Sequence, residues 1–299
     1  MEVERGPTSE APDMSTSPER LAVAMTIAGH DPSGGAGIVA DLRTFDELGV
    51  YGVAVVTSIT CQSSQGVSGR RDLLPDVVFG QLDTLLSDRV PSAFKVGMLG
   101  RTDTIAAVTK VLSEHTSRPV VLDPVLRSSS GEPLIEDGGI EVLERMLPVV
   151  TVVTPNKDEL TELCGFEVFD VADVKAAALM LVKKGAKSVL VTGVKSTRGS
   201  KAESSDVLLV GDKYHVYSSP WVEDMNVHGS GCVLSSAIAA FLAIGRDVRT
   251  SVSMARNFTL AAMKNSIAPG EGVPFASPRG GRQRRPKDYY SFVTPSPGV

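Results

Sequence analysis

Short apolar runs rich in β-branched residues alternate along the chain with segments whose apolar residues recur at helical spacing. LAVAMTIAG (21–29) reads as a strand, followed by a glycine-rich loop and a helix over AGIVADLRTFDEL (36–48). The pattern repeats: strand 53–60, helix 76–86, strand 93–99, helix 103–112, strand 119–122, helix 141–147, strand 151–154. A capped helix ending near Cys164, a helix over 171–184 and a strand over 188–192 follow. Runs 207–210 and 214–217 flank Gly211-Asp212-Lys213 and predict a β-hairpin, and helices over 232–244 and 248–264 close the pattern. Strand–helix alternation of this kind predicts right-handed βαβ units and one doubly wound, mainly parallel sheet with helices on both faces. Ligands of such a sheet bind beyond the C-terminal ends of its strands. No internal repeat or linker divides the chain, so one domain is expected over 21–270.

Composition narrows the picture little. The 299 residues suffice for a large core, and 42% hydrophobic with 22% charged residues is ordinary for a globular protein. A net charge of −5 gives no reason to expect specific nucleic-acid binding. Cys61, Cys164 and Cys232 make no even disulfide set, which fits a reducing cytoplasm, and four histidines lack metal-ligand spacing. The longest apolar helix segment, 232–244, is too short and too serine-interrupted to span a membrane. Residues 1–20, rich in Glu, Pro, Ser and Thr, predict a disordered segment, and 271–299 a basic, flexible extension.

The richest chemistry lies in Asn226-Val227-His228-Gly229-Ser230-Gly231-Cys232, immediately before an apolar helix. Gly229 and Gly231 let the backbone turn sharply and approach a ligand. The free N–H groups of the first helical turn and the helix dipole then favour an anion, and the same field is expected to lower the pKa of Cys232. A plain glycine turn before a buried helix, with Cys232 as a small core residue, explains the segment equally well. The first βα loop, GHDPSGGAG (29–37), matches neither the P-loop, since no lysine follows Gly34, nor G-x-G-x-x-G. It brings backbone close to a ligand or packs tightly on the sheet. Asp41, one turn into the next helix, and Gln62, just past a strand, are polar groups near strand ends that together can read a ring, although singly each is more often a surface residue. Asn156 and Glu159 have the spacing of a helix capping box, and Glu159 is also a carboxylate of the type magnesium prefers. Asp123 is another carboxylate at a strand end.

GHDPSGGAGIVADLRTF, CQSSQGV, KVGMLG, VVLDPV, TPNKDEL and NVHGSGCVLSSAIAAFLA occur in the order that characterises hydroxymethylpyrimidine and phosphomethylpyrimidine kinases of thiamin biosynthesis. The resemblance covers 22–266 and is specific as a combination. It implies a ribokinase-like α/β fold and Mg²⁺-dependent transfer of phosphate from ATP to a small-molecule pyrimidine, 4-amino-5-hydroxymethyl-2-methylpyrimidine or its monophosphate. It assigns Gly29, Asp41, Gln62 and Met98 to the pyrimidine, and Gly229, Ser230, Gly231 and Cys232 to the anion hole and acceptor hydroxyl. Asp123, Asn156, Thr192 and Gly193 fall on the nucleotide side, with Glu159 and Asp123 toward the metal. A cytoplasmic homodimer is the implied assembly.

The chain departs from that family pattern at three places. Thr192 and Ser129 stand where such kinases commonly carry lysines, and GEGVPF replaces their usual glycine–histidine–glycine–proline ending. Loss of two phosphate-side cations weakens a chemistry that depends on positioning and electrostatics. Lys195, Arg198, Lys201 or Arg127 are the available substitutes. Pyridoxine and pyridoxal kinases share the fold and the glycine–cysteine element and remain an alternative, as does a pyrimidine-binding sensor with weak catalysis.

Overall fold

The structure is a computed structural model and describes residues 21–128, 131–198, 201–220 and 227–281. It contains a nine-stranded sheet. Val23–His30 (β1) leads through the glycine loop into Gly37–Glu47 (α1). Tyr51–Ser63 (β2), Gly66–Asp72 (β3), Pro75–Asp88 (α2), Ala93–Val96 (β4) and Thr102–Ser113 (α3) follow. Next come Val120–Leu122 (β5), Gly139–Glu144 (α4), Val152–Val153 (β6), Lys157–Cys164 (α5) and Val171–Lys183 (α6). The chain continues with Ser188–Arg198 (β7), Lys201–Val210 (β8), Lys213–Pro220 (β9), Ser230–Ala243 (α7) and Val248–Lys264 (α8).

The strand order is β3-β2-β1-β4-β5-β6-β7-β8-β9. Strands β2 through β7 pair in parallel, while β3 at one edge and β8–β9 at the other are antiparallel. Winding reverses between β1 and β4, so the loops after these strands diverge and open a crevice, as such a switch point requires. Strands β4, β5 and β6 are fully buried and purely or nearly apolar, as parallel strands covered on both faces must be. One hydrophobic core packs α2 to α6 on one sheet face; the other packs α1, α7 and α8 on the opposite face. Helix α7 is sandwiched, with every residue from Val233 to Leu242 buried.

The mainly parallel, doubly wound architecture expected from the sequence is therefore present. Two details differ. Strand β3 was not expected: GVSGRRD is polar and half-exposed, and only antiparallel pairing with β2 makes it a strand. The flexible extension expected from residue 271 begins too early, because Phe275 and Ala276 are buried and Phe275 bridges His228 and Ile267. The expected segment 1–20, and 282–299, lie outside the described residues.

Candidate active site

The switch-point crevice is a cleft of about 190 Å³. On its β1 side, Asp31 organises the first loop. Its Oδ1 accepts from the backbone N–H and hydroxyl of Ser33 (2.8 and 2.6 Å), and its Oδ2 accepts from Ala36 N (2.9 Å). Burial works against the charge of Asp31, yet these bonds and its contact with His228 together hold the carboxyl below its ordinary value. Gln62 Nε2 donates to Asp31 Oδ2 (3.2 Å) and lies 2.8 Å from His228 Nε2, which ties the end of β2 to the segment before α7. Gln62, Gly29 and Met98 all line the cleft. Met98 sits in the loop after β4, its carbonyl accepting from Thr57 Oγ1 (2.6 Å), with its Cε directly over Gly29. Gly29, Gln62 and Met98, grouped on sequence grounds, thus form one wall.

Helix α7 aims its N-terminus at the same cleft. Gly229 is its N-cap in the left-handed region (φ 80°), with no side-chain cap. A Cβ there would lie 1.8 Å from Gly35 O, so only glycine lets the two glycine loops touch. Gly229, Gly231 and Cys232 face the cleft, whereas Ser230 opens the helix without reaching its wall. Asn226 lies outside the described residues. The expected lowering of the Cys232 pKa is overturned: burial pushes the thiol up to about 12, with Asp41 and Asp123 adding to the rise. Lys95 and a backbone hydrogen bond from Gly37 oppose this without prevailing. Desolvation here outweighs the helix field.

Asp41 is the second correction. It is fully buried and does not line the cleft. Its Oδ2 accepts from Thr26 Oγ1 (2.6 Å) and Lys95 Nζ (2.9 Å), and its Oδ1 from Ser236 Oγ (2.7 Å). Buried behind the wall and bonded to these three groups, it does not face a ring in the cleft. It holds Lys95, which does line the cleft. Sequence reasoning missed Lys95, although a lysine inside the otherwise apolar strand AFKV was a usable signal. It also missed Ser235 and Ser236, adjacent hydroxyls in an apolar helix: Ser235 Oγ donates to Asp123 Oδ2 (2.9 Å).

The far wall carries Asp123, Asn156, Glu159 and Thr192. The capping box is real: Asn156 Oδ1 accepts from Glu159 N and Glu159 Oε2 from Asn156 N, both at 2.9 Å. It fixes Glu159 at the cleft, where burial and then the charge of Asp123 push its carboxyl up to about 8. Burial also raises Asp123, against the pull of Lys95 and Ser235. Thr192 N donates to Pro155 O (3.0 Å), seating β7 beside this wall. Gly193 does not reach it; its N–H goes to Asp206 Oδ1 (2.8 Å). Ser129 lies outside the described residues, as do the side chains of Arg198 and Lys201. Arg127 lines the cleft and pairs with Glu162 (2.8 Å).

One cleft thus joins the wall of Gly29, Gln62 and Met98 to a helix N-terminus and to a far wall that carries two carboxylates. A family model described as phosphomethylpyrimidine kinase matches residues 31–276. The chain belongs to the phosphomethylpyrimidine kinase family. It is 38% identical over 251 residues to the hydroxymethylpyrimidine/phosphomethylpyrimidine kinase of Aquifex aeolicus, covering 84% of this chain and 97% of that protein. It is 39% identical over 249 residues to the thiamine biosynthesis bifunctional protein of Geobacter sulfurreducens, covering 83% of this chain but only 50% of that protein. This kinase chain therefore spans about half of that bifunctional relative. Among solved structures, the pyridoxal kinase of Staphylococcus aureus in complex with ADP superposes with a TM-score of 0.79 at 32% identity, over 88% of this chain and 95% of that one. The fold is accordingly ribokinase-like, and the protein is a small-molecule kinase.

Proposed function

We propose that the protein transfers the γ-phosphoryl group of ATP to 4-amino-5-hydroxymethyl-2-methylpyrimidine, to its monophosphate, or to both in turn, within thiamin biosynthesis. One observation carries this reading: in a chain of the phosphomethylpyrimidine kinase family, Gly29, Gln62 and Met98 and the N-terminus of α7 line one cleft. The pyrimidine lies on Gly29, Gln62 and Met98, presenting its hydroxymethyl oxygen to Cys232. The backbone at Gly229–Cys232 receives the charge of the transferring phosphoryl group, where a helix N-terminus is worth most. Asn156, Thr192 and Asp123 border the nucleotide phosphates. Cys232 takes or orients the hydroxyl proton.

The donor set also fits Mg²⁺. Asp123 and Glu159 are two cleft carboxyls raised by burial, Glu159 further by the charge of Asp123, which is the state a cation would relieve. Among the described residues no third His, Cys, Asp or Glu joins them to form a closed site. Such a pair suits a hard cation that keeps its water and shares phosphate oxygens. When bound, Mg²⁺ would offset phosphate charge, held through Asp123 and Glu159.

The three free cysteines suit a reducing cytoplasm, and among the described residues no helix is long and apolar enough to cross a membrane. A homodimer is the expected assembly, to be checked by light scattering. The pyridoxal kinase superposition motivates a second reading, a pyridoxal or pyridoxine acceptor. Incubating the protein with MgATP and each acceptor separately, with products resolved by chromatography, decides between them. A phosphorylated pyrimidine supports the first reading; phosphate on the pyridine alcohol alone supports the second.

A further inference from the structure

Lys95 lies in the middle of the sheet, on β4, with Thr26 of β1 and Val121 of β5 as register partners. Its side chain is 0% exposed to solvent, as is that of its ion-pair partner Asp41. A buried pair of this kind contributes little net stability, because removing both charges from water costs about what their attraction returns. Its retention calls for another reason. Asp41 accepts from Thr26, Lys95 and Ser236 and does not line the cleft, so it is an anion fixed behind the wall. Lys95 is not saturated. Its ammonium has three N–H donors and, among the described residues, makes one hydrogen bond, to Asp41, and Lys95 is among the residues that border the cleft. Gly97 makes this reach possible: a Cβ there would stand 2.7 Å from Lys95 Nζ. The ammonium therefore extends toward the C-terminal strand ends, where Cys232 and Asp123 lie.

We propose that Lys95 acts electrostatically from just behind the cleft wall, its ammonium stabilising the negative charge that forms on the acceptor oxygen and the transferring phosphoryl group beside Cys232. This rests on the kinase reading above. In the step, the acceptor oxygen bonds to the γ-phosphorus as the bond to the β,γ-bridging oxygen breaks. The electron pair leaves with ADP, and the acceptor proton passes to the Cys232 sulfur once that thiol has given its own proton to solvent; burial holds it as the thiol, and the Lys95 charge favours its ionisation. Lys95 keeps its own proton throughout, because Asp41 holds it charged: burial alone would lower its pKa, and Asp41, Cys232 and Asp123 raise it above its ordinary value. The groups whose charges bear on Cys232 are Lys95 from β4, Asp41 from α1 and Asp123 after β5, and of these only Lys95 favours the thiolate.

Three measurements test this. In Lys95→Met, kcat is expected to fall by about 10²–10³-fold, with KM for both substrates changing far less, as when one preorganised donor to a transition state is removed. Lys95→Met leaves Asp41 unpaired and can unfold, so the double variant Lys95→Met/Asp41→Asn removes both charges together. It is expected to fold and still to lack activity; a folded double variant with near wild-type kcat would make the pair structural and overturn the proposal. The third measurement needs no substrate. Iodoacetamide modification of Cys232, followed by peptide mass spectrometry across pH, is expected to slow by about tenfold or more in folded Lys95→Met, since the thiolate is the reacting form. An unchanged pH profile contradicts the proposal even if the wild-type protein proves not to phosphorylate the pyrimidine, an outcome that would overturn only the kinase reading.

Discussion

Gly229→Ala perturbs the contact on which the site is built. The added Cβ would sit 1.8 Å from Gly35 O, about 1.6 Å short of the 3.4 Å at which ordinary contact begins. The obstacle is backbone, so no rotamer change relieves it. Alanine at φ 80° costs about 1–2 kcal/mol, and separating the two loops adds an overpacking cost of about 1–3 kcal/mol. Together these remove about 2–5 kcal/mol, a large share of a typical stability of about 5–15 kcal/mol. Displacing the α7 N-terminus by about an ångström is expected to lower kcat by about 10²-fold as well. Gly231→Ala is the control. Its Cβ would meet nothing closer than Asp123 Oδ2 at 4.0 Å, so stability is expected to stay within about 1 kcal/mol of wild type. The methyl nevertheless enters the cleft wall, and turnover is expected to drop. Urea denaturation and steady-state kinetics on both variants provide the assay. If Gly229→Ala matches wild type in midpoint and kcat, the loops do not touch as described and the reasoning fails.

Three further outcomes follow from the site. Cys232→Ala is expected to lower kcat by about 10²–10⁴-fold with little change in acceptor affinity, and Cys232→Ser to restore little of it; near wild-type turnover in either would return Cys232 to a packing role. Glu159, whose folded carboxyl is raised to about 8, binds a proton more tightly folded than unfolded, so its contribution to stability is lost as pH rises from about 4.5 through 8. Thermal melts across that range should show the decline without Mg²⁺ and a smaller one with it, and Glu159→Gln should remove the difference. Thr192→Lys should raise kcat if the phosphate side lacks a cation, and Arg127→Ala should lower it if Arg127 supplies one; kinetics unmoved by both would dismiss the missing cation.

The parallel sheet was legible because parallel strands must be apolar on both faces, and their runs stand out between helical periods; the strand order that sets its switch point was not. Strand β3 was illegible because half-exposed GVSGRRD carries no alternation of its own. The glycine loops and Gln62, singled out because backbone approach demands glycine and strand ends carry the chemistry, do line the cleft. Asp41 was placed in the ligand site wrongly. Helical spacing put it near the strand ends, but nothing local says that it meets Lys95, 54 residues away, or Ser236, 195 residues away. The thiol of Cys232 failed for a related reason: sequence reveals the helix start that favours a thiolate, while the burial that outweighs it comes from elements distant in the chain.

The central claim is that one cleft binds a pyrimidine alcohol on Gly29, Gln62 and Met98 and phosphorylates it at Cys232. Phosphorus NMR of the protein with MgATP and 4-amino-5-hydroxymethyl-2-methylpyrimidine tests this most directly, run beside Gln62→Ala. The account expects a new phosphomonoester resonance with stoichiometric ADP, and for Gln62→Ala a raised KM for the pyrimidine with that for ATP nearly unchanged. ATP left intact, or a Gln62→Ala variant that loses ATP and pyrimidine affinity equally, would contradict it.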